Sequence, residues 1–513
     1  FMSSQPTRCV IKAVGRQLIL TKKALLMKRQ ADQILYDDTP LPSLIDALIP
    51  PIFLVCMLSA TAHVFDADAM GPNQLVLILS AAVASIIGKK NGMLWEDIEK
   101  ALVRQIAISL QPVLILLIVG AMIGSWMLSG TVPAIIYYGV DLLSPSYFYI
   151  SASLVCAILS FSIGSSWSVA GTLGIGLMGI AMAMGLSLPI SAGAVISGAY
   201  FGDKLSPLSD TTNLAAAVTG NDLFEHIRHM LWTTVPGFLI ALCIFFFLGI
   251  ENSPTIAVDE INNLQFAMAE TFAIHPLALM PFLFMLLLAA KKIPVLPALL
   301  CGTLVGALFA ILFQRDVVIT LANDQTLNDG ASIFKGLLHA MFFGYHSETG
   351  NASMDILLSK GGMESMLPTI ALMIAAMTFG GAMMGTGLLK RLLSATLQRI
   401  KKTGDLVLTT VGTCIGTNIL VADQFLSIII PGQMFANAYE NQKLKPVNLS
   451  RTLEDSATLT SALIPWNTCG AYMTATLGVS TFLYAPFAFF NFICPVIAVF
   501  YGYTNIAVPK IED

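Results

Sequence analysis

Apolar stretches of about 20 residues, the length a helix needs to cross the hydrocarbon of a bilayer, follow one another along most of this 513-residue chain. With 56% hydrophobic and 11% charged residues and a mean hydropathy of +0.77, it carries far less charge than an ordinary soluble protein. That combination implies an all-α polytopic membrane protein. Candidate spans fall at roughly 44–64, 71–88, 107–130, 147–163, 166–184 and 231–249, with a short apolar run at 132–143 and a polar-interrupted element at 190–219. Beyond residue 273 the order recurs: roughly 275–290, 295–313, 366–388, 404–419 and 420–438, an interrupted 450–480, and a last span at 485–505.

About seven crossings or hairpin arms fall in each half, and an odd number turns the second copy upside down relative to the first. Charge placement agrees. Lys89, Lys90, Lys100, Arg104, Arg228, Lys291, Lys390, Lys402 and Lys443 fall in loops assigned to one side, while most loops on the other side hold no Lys or Arg. Two inverted-topology repeats with broken helices and re-entrant hairpins are therefore expected. Residues 1–40 form a basic cytoplasmic arm, 41–250 the first repeat, 251–273 an exposed extracellular linker, 274–505 the second repeat and 506–513 a C-terminal tail. Both termini are placed in the cytoplasm of a multi-pass cell-membrane protein. The basic arm lacks the short apolar core of a cleavable signal. Eight scattered cysteines without a C-x-x-C read as core residues, not as a zinc site or disulfide framework.

The chemistry gathers where the apolar pattern breaks. SGAYFGDKLSPLSDTTNLAAAVTG, residues 197–220, places Asp203, Lys204, Ser206, Asp210, Thr211, Thr212 and Asn213 around Pro207, which removes an amide donor and strands nearby carbonyls. Carboxylates at that depth are costly and mark a functional site by default. RTLEDSATLTSALIPWNTCGAYMTATLG, residues 451–478, repeats the logic with Glu454, Asp455, Thr458 and Asn467. Two further joints interrupt paired spans, one at Ser162, Ser165 and Ser166, the other at Asn418 and Asp423. Each is either a re-entrant tip or an ordinary turn, and parity does not separate the two. Hard oxygen ligands of this kind suit a small alkali cation. Mutually exclusive occupancy by Na⁺ or H⁺ is sufficient for antiport.

At these residues the sequence resembles the NhaC-type sodium/proton antiporter family of the ion-transporter superfamily. The likeness rests on GAYFGDKLSPLSDTTNLAAAVTG continuing into NDLFEHIRHM, on CIGTNILVADQ, on RTLEDSATLTSALIPWNTCGAY and on FSIGSSWSVAGTLGIG, and runs from about residue 41 to 505. It implies exchange of cytoplasmic Na⁺ for external H⁺, and by analogy points to Asp203, Asp210, Asn213, Asp423, Asp455 and Asn467. Na⁺ itself is assigned to Asp203, Asp210, Asn213 and Asp455. The alternative is a Na⁺/H⁺-coupled organic acid exchanger of the malate/lactate type, with Lys204, Arg451 or the serine tips meeting a small carboxylate.

Lys204 is read first as a charge partner of Asp203 or Asp455, then as an internal competitor of Na⁺, then as an anion ligand. His226 and His229 are placed in a solvated loop, with a pH sensor as the alternative; His346, Glu348 and Asp355 are placed in an outer loop. An intramembrane aspartyl protease is disfavoured because Y-F-G-D stands where G-x-G-D belongs, and no G-x-x-x-x-G-K-[ST] provides for ATP. The chain is expected to be no enzyme and to need no cofactor, with Na⁺ as a transported ion. Its partners are Na⁺, H⁺ and the bilayer, not nucleic acid; a homodimer is left open.

Overall fold

A computed structural model describes residues 41–511 apart from 66–69, 252–257, 292, 325, 348–354, 356–357 and 398–399. The basic arm at 1–40, Glu348 and the last two tail residues lie outside the described set. Among the described residues nine helices are long and apolar enough to cross a bilayer. Two bent pairs, Asn263–Thr271 with Pro276–Ala290 at 85° and Thr481–Phe487 with Phe489–Thr504 at 56°, would add two more.

The internal repeat is metrically regular. Elements that start at 145, 166, 188, 210 and 223 recur at 403, 424, 446, 468 and 481, a constant offset of 258 residues. Contacts also repeat. Helix Phe148–Ile163 packs alongside Leu188–Leu205 through Gly198 and Gly202, where an added Cβ would stand 2.0 and 2.2 Å from the carbonyls of Ser153 and Ala157. In the second copy Asn418 donates to the Ala457 carbonyl at 2.8 Å.

Inversion can be read from the contacts. Ser197 accepts the Phe490 amide, and the neighbouring Asn491 donates to the Leu459 carbonyl, so residue 197 lies level with 459. Further along the same helix Lys204 meets Asp455. Numbers rise along one element as they fall along its counterpart, so helix Leu188–Leu205 and the stretch 446–461 run in opposite directions.

The outer helices are exchanged between the copies. Met70–Lys90 lies against Leu367–Gly385, with Gln74 bonded to the Pro368 carbonyl at 2.8 Å and Gly88 against Thr386. Correspondingly, Leu110–Leu128 lies against Val295–Phe313, with Ser125 bonded to the Thr303 carbonyl at 2.8 Å and Trp126 to that of Gly302 at 3.1 Å.

The stretch expected as an exposed linker differs in part. Val258–Thr271 is helical, Met268 and Phe272 are buried, and Gln265 donates to the Tyr137 carbonyl at 3.0 Å. Leu264, Ala267, Met268 and Phe272 recur at helical spacing, which gives this acidic segment one apolar face to bury.

Candidate functional site

Both hairpin joints are built alike. Helix Phe148–Ile163 stops at Gly164, whose φ is 74°, and Ser165 caps the next helix by accepting the Ser168 amide. Helix Thr403–Val421 stops at Ala422, φ 60°, and Asp423 caps the next by accepting the Leu426 amide at 2.8 Å. The free amides of a helix start favour an anion. At the first joint that anion is the protein's own, because Ser166 gives its backbone N–H at 3.0 Å and its hydroxyl at 2.7 Å to Asp203 Oδ2.

The two broken elements match as well. After Leu188–Leu205 the chain unwinds to Ser209, which caps Asp210–Thr219, and Gly220 closes that helix at φ 72°. After residue 461 it unwinds to Asn467, which caps Thr468–Leu477, and Gly478 closes that helix at φ 72°. Side chains take over the stranded carbonyls. Thr212 donates to the carbonyl of Lys204 at 3.0 Å, and Asn213 to those of Pro207 and Ser209 at 3.0 and 2.7 Å. In the second copy Asn467 donates to Asn418 Oδ1 at 3.1 Å, tying the break to the hairpin beside it.

All four interruptions meet at one cavity of about 150 Å³. It takes Ser165, Ser166 and Ser168 from the first joint and Asp203, Ser209, Asp210 and Thr211 from the first break. Asp423 and Gln424 come from the second joint and Thr468 from the second break. Gln111 and the apolar residues around it close the remaining side. Three carboxyl groups and a ring of hydroxyls face a space several times the size one water needs. Among the described residues the lining holds no Lys, Arg or His.

Beside it lies a separate charged cluster. Lys204 Nζ is paired with Asp455 Oδ1, and both side chains are fully buried. Thr233 donates to the same carboxylate oxygen at 2.8 Å. Because Lys204 follows Asp203 directly on one helix, the cavity and the ion pair adjoin through consecutive residues.

The structure therefore brings together Ser165, Ser166, Asp203, Asp210, Thr211 and Asp423, and sets other expected residues apart. Asp455 is not among the lining residues; the structure pairs its carboxylate with Lys204. Ser206, Thr212 and Asn213 hold the break together, and Ser206 accepts the Leu208 amide. Asn418, Asn467 and the Thr458 carbonyl, which accepts from Gln424, form the frame of the second break. Ser162 is no tip residue: it is exposed and bonds back to the Ile158 carbonyl at 2.9 Å, one turn before the joint. His226 does not lie in a solvated loop, since helix Leu223–Glu251 starts before it and its ring is buried against the Ser450 hydroxyl at 2.8 Å. Ser168, Ser209, Gln424 and Thr468 are site residues the sequence placed in the right segments without singling them out. Thr233 gave no signal, being one of two adjacent threonines, with Thr234, in an otherwise apolar span.

Comparison with known proteins follows the same residues. The family model for the Na⁺/H⁺ antiporter family matches residues 198–506. The Na⁺/H⁺ antiporter NhaC of Alkalihalophilus pseudofirmus is 39% identical over 434 residues, covering 85% of this chain and 90% of that protein. The Na⁺/H⁺ antiporter NhaC of Bacillus subtilis is 36% identical, covering 88% and 96%. The malate-2H⁺/Na⁺-lactate antiporter of Bacillus subtilis is 35% identical, covering 91% and 96%.

Proposed function

The chain belongs to the Na⁺/H⁺ antiporter family, and we propose that it exchanges cytoplasmic Na⁺ for external H⁺ by alternating access, with the cation carried in the cavity at the four helix breaks. The observation that carries this reading is the acidic lining: Asp203, Asp210 and Asp423, from both repeats, face a space that no basic side chain lines among the described residues. Carboxylate and hydroxyl oxygens are ligands for a hard cation, and proton binding by buried carboxyl groups that alternates with cation binding is sufficient for exchange. Because the walls come from oppositely oriented copies, movement of one against the other would open the cavity to alternate sides. Lys204 would serve as a fixed brace between the copies, its charge already spent on Asp455.

A second reading is exchange coupled to a small carboxylate. Two helix starts, at Ser166 and Gln424, face the cavity and would suit an anion, and one relative is named for malate and lactate. The acidic lining weighs against it, as does the occupation of the first helix start by Asp203.

Purified protein in liposomes with an internal pH dye distinguishes the two. Na⁺ alone should collapse an imposed pH gradient, and Asp203→Asn should abolish the response. A response that needs added malate or lactate would establish the carboxylate reading. Full exchange by the Asp203→Asn protein would remove the cavity from the mechanism.

A further inference from the structure

Glu454 is the intramembrane carboxyl group that the cation cavity leaves unused. It opens a π-helical turn, Glu454–Thr458, within the second broken element, the kind of local irregularity that recurs at functional positions. The side chain is fully buried, neither Oε1 nor Oε2 meets hydrogen-bond geometry with a described residue, and the Thr458 hydroxyl on the same turn lies within reach of it. Asp455 next to it spends Oδ1 on Lys204 and Thr233 and leaves Oδ2 without a partner. Native proteins seldom leave buried carboxyl oxygens unmet, so such a group calls for a function.

Charge counting narrows that function. The groups in electrostatic reach of Glu454 are Lys204 and Asp203 on the first broken element and Asp455 on its own. Arg451, buried one turn before Asp455, acts on Asp455 and gives Nη1–H to the Ala507 carbonyl, and His226 acts on Lys204. Lys204 is bound to Asp455 and Arg451 acts on Asp455, so among the described residues Glu454 has no cation bonded to it. Holding Glu454 as an unpaired ion inside the protein is strongly unfavourable. A proton on Glu454 removes that cost without any rearrangement.

We infer that Glu454 is the proton-binding group of the transport cycle, distinct from the cavity that binds the cation. The inference rests on the antiport reading above and adds the route by which the two ions exclude each other. With the cavity empty, the negative charge of Asp203 repels an ionised Glu454 and keeps the proton in place. A cation beside Asp203 cancels that repulsion and releases the proton. Coupling then needs no long path, because Asp203 faces the cavity and Lys204, its neighbour in sequence, faces the Glu454 cluster.

The test separates cation movement from proton movement. In proteoliposomes, Glu454→Gln should retain ²²Na⁺/Na⁺ exchange within about threefold of the parent, yet lose at least tenfold in Na⁺-driven collapse of a pH gradient. Asp203→Asn should lose both. Parent protein that moves no protons with Na⁺ would sink the antiport reading itself, a different failure from the one at issue. Undiminished proton coupling in Glu454→Gln overturns the inference, and so does loss of ²²Na⁺ exchange in folded Glu454→Gln protein. Should that variant not yield folded protein, Glu454→Asp takes its place: a moved pH profile of Na⁺ efflux supports the assignment, and an unmoved one overturns it.

Discussion

Removing the charge of Lys204 should be much more damaging than removing that of Asp455, although each substitution breaks the same ion pair. In Lys204→Met, two buried carboxyl groups, Asp455 and Glu454, lose the ammonium beside them, and among the described residues only the Arg451 guanidinium still acts on Asp455. Removing one partner of a buried pair costs about 3–5 kcal/mol because the other charge is left uncompensated. In Asp455→Asn the ammonium keeps an acid within reach, since Glu454 lies beside it with both oxygens unpartnered. The loss then falls toward that of one charged hydrogen bond, about 1.5–3 kcal/mol. An internal control is the Arg315–Asp329 pair, whose side chains are 56% and 75% exposed; Arg315→Ala should cost about 0–1 kcal/mol. The assay is SDS-induced unfolding of detergent-purified protein, followed by tryptophan fluorescence. If Asp455→Asn proved as costly as Lys204→Met, Glu454 would not be able to take over the ammonium, and the charge argument would fail. If both resembled the Arg315→Ala control, the pair would not be buried as described.

Three further outcomes follow from particular contacts. Gly202→Val should abolish folded protein, since its Cβ alone would stand 2.2 Å from the Ala157 carbonyl and 2.5 Å from the Phe161 amide; a monodisperse gel-filtration peak for this variant would contradict the packing. Tyr472 stacks on Trp167 with centroids 4.1 Å apart and donates to the Trp167 carbonyl at 2.9 Å. Tyr472→Phe should therefore cost about 0.5–1.5 kcal/mol and Tyr472→Ala about 3–5 kcal/mol, a gap readable by SDS titration and refuted by equal losses. Asn467→Ala removes both the cap on Thr468–Leu477 and the bond to Asn418. It should cost at least the 0.5–2 kcal/mol or so of a lost cap, while Asn467→Asp, which keeps an acceptor, should recover part of it.

Much of this architecture was legible in the sequence because lipid punishes unsatisfied backbone so heavily that spans and breaks stand out in hydropathy. The Pro207 break, the VADQ joint and the inverted order could all be seen there. Pairing across the repeats could not. Asp203 and Asp455 look like equivalent acids in matching breaks, yet the structure places Asp203 at the cavity and gives Asp455 to a lysine from the other copy. Sequence spacing says nothing of which carboxyl group an ammonium from a distant helix will reach. Ser165 and Asp423 illustrate the converse. They occupy equivalent joints and both cap a helix, but one is neutral and the other acidic, so residue chemistry hid a correspondence that the constant spacing of elements makes plain. The segment before residue 273 was misjudged because its acidic composition outweighed a narrow apolar stripe.

The exchange of outer helices between the copies bears on how the protein is made. Trp126 is fully buried only once Gly302 and its helix arrive to cover it. At about 5–20 residues per second, the ribosome needs roughly ten to thirty seconds to reach that helix. During that interval the newly inserted first copy displays an unmatched face to lipid. An insertase or chaperone that shelters this half-finished bundle would limit yield more than the final fold's stability does, and expressing the halves as separate chains should leave each dependent on the other for survival in the membrane.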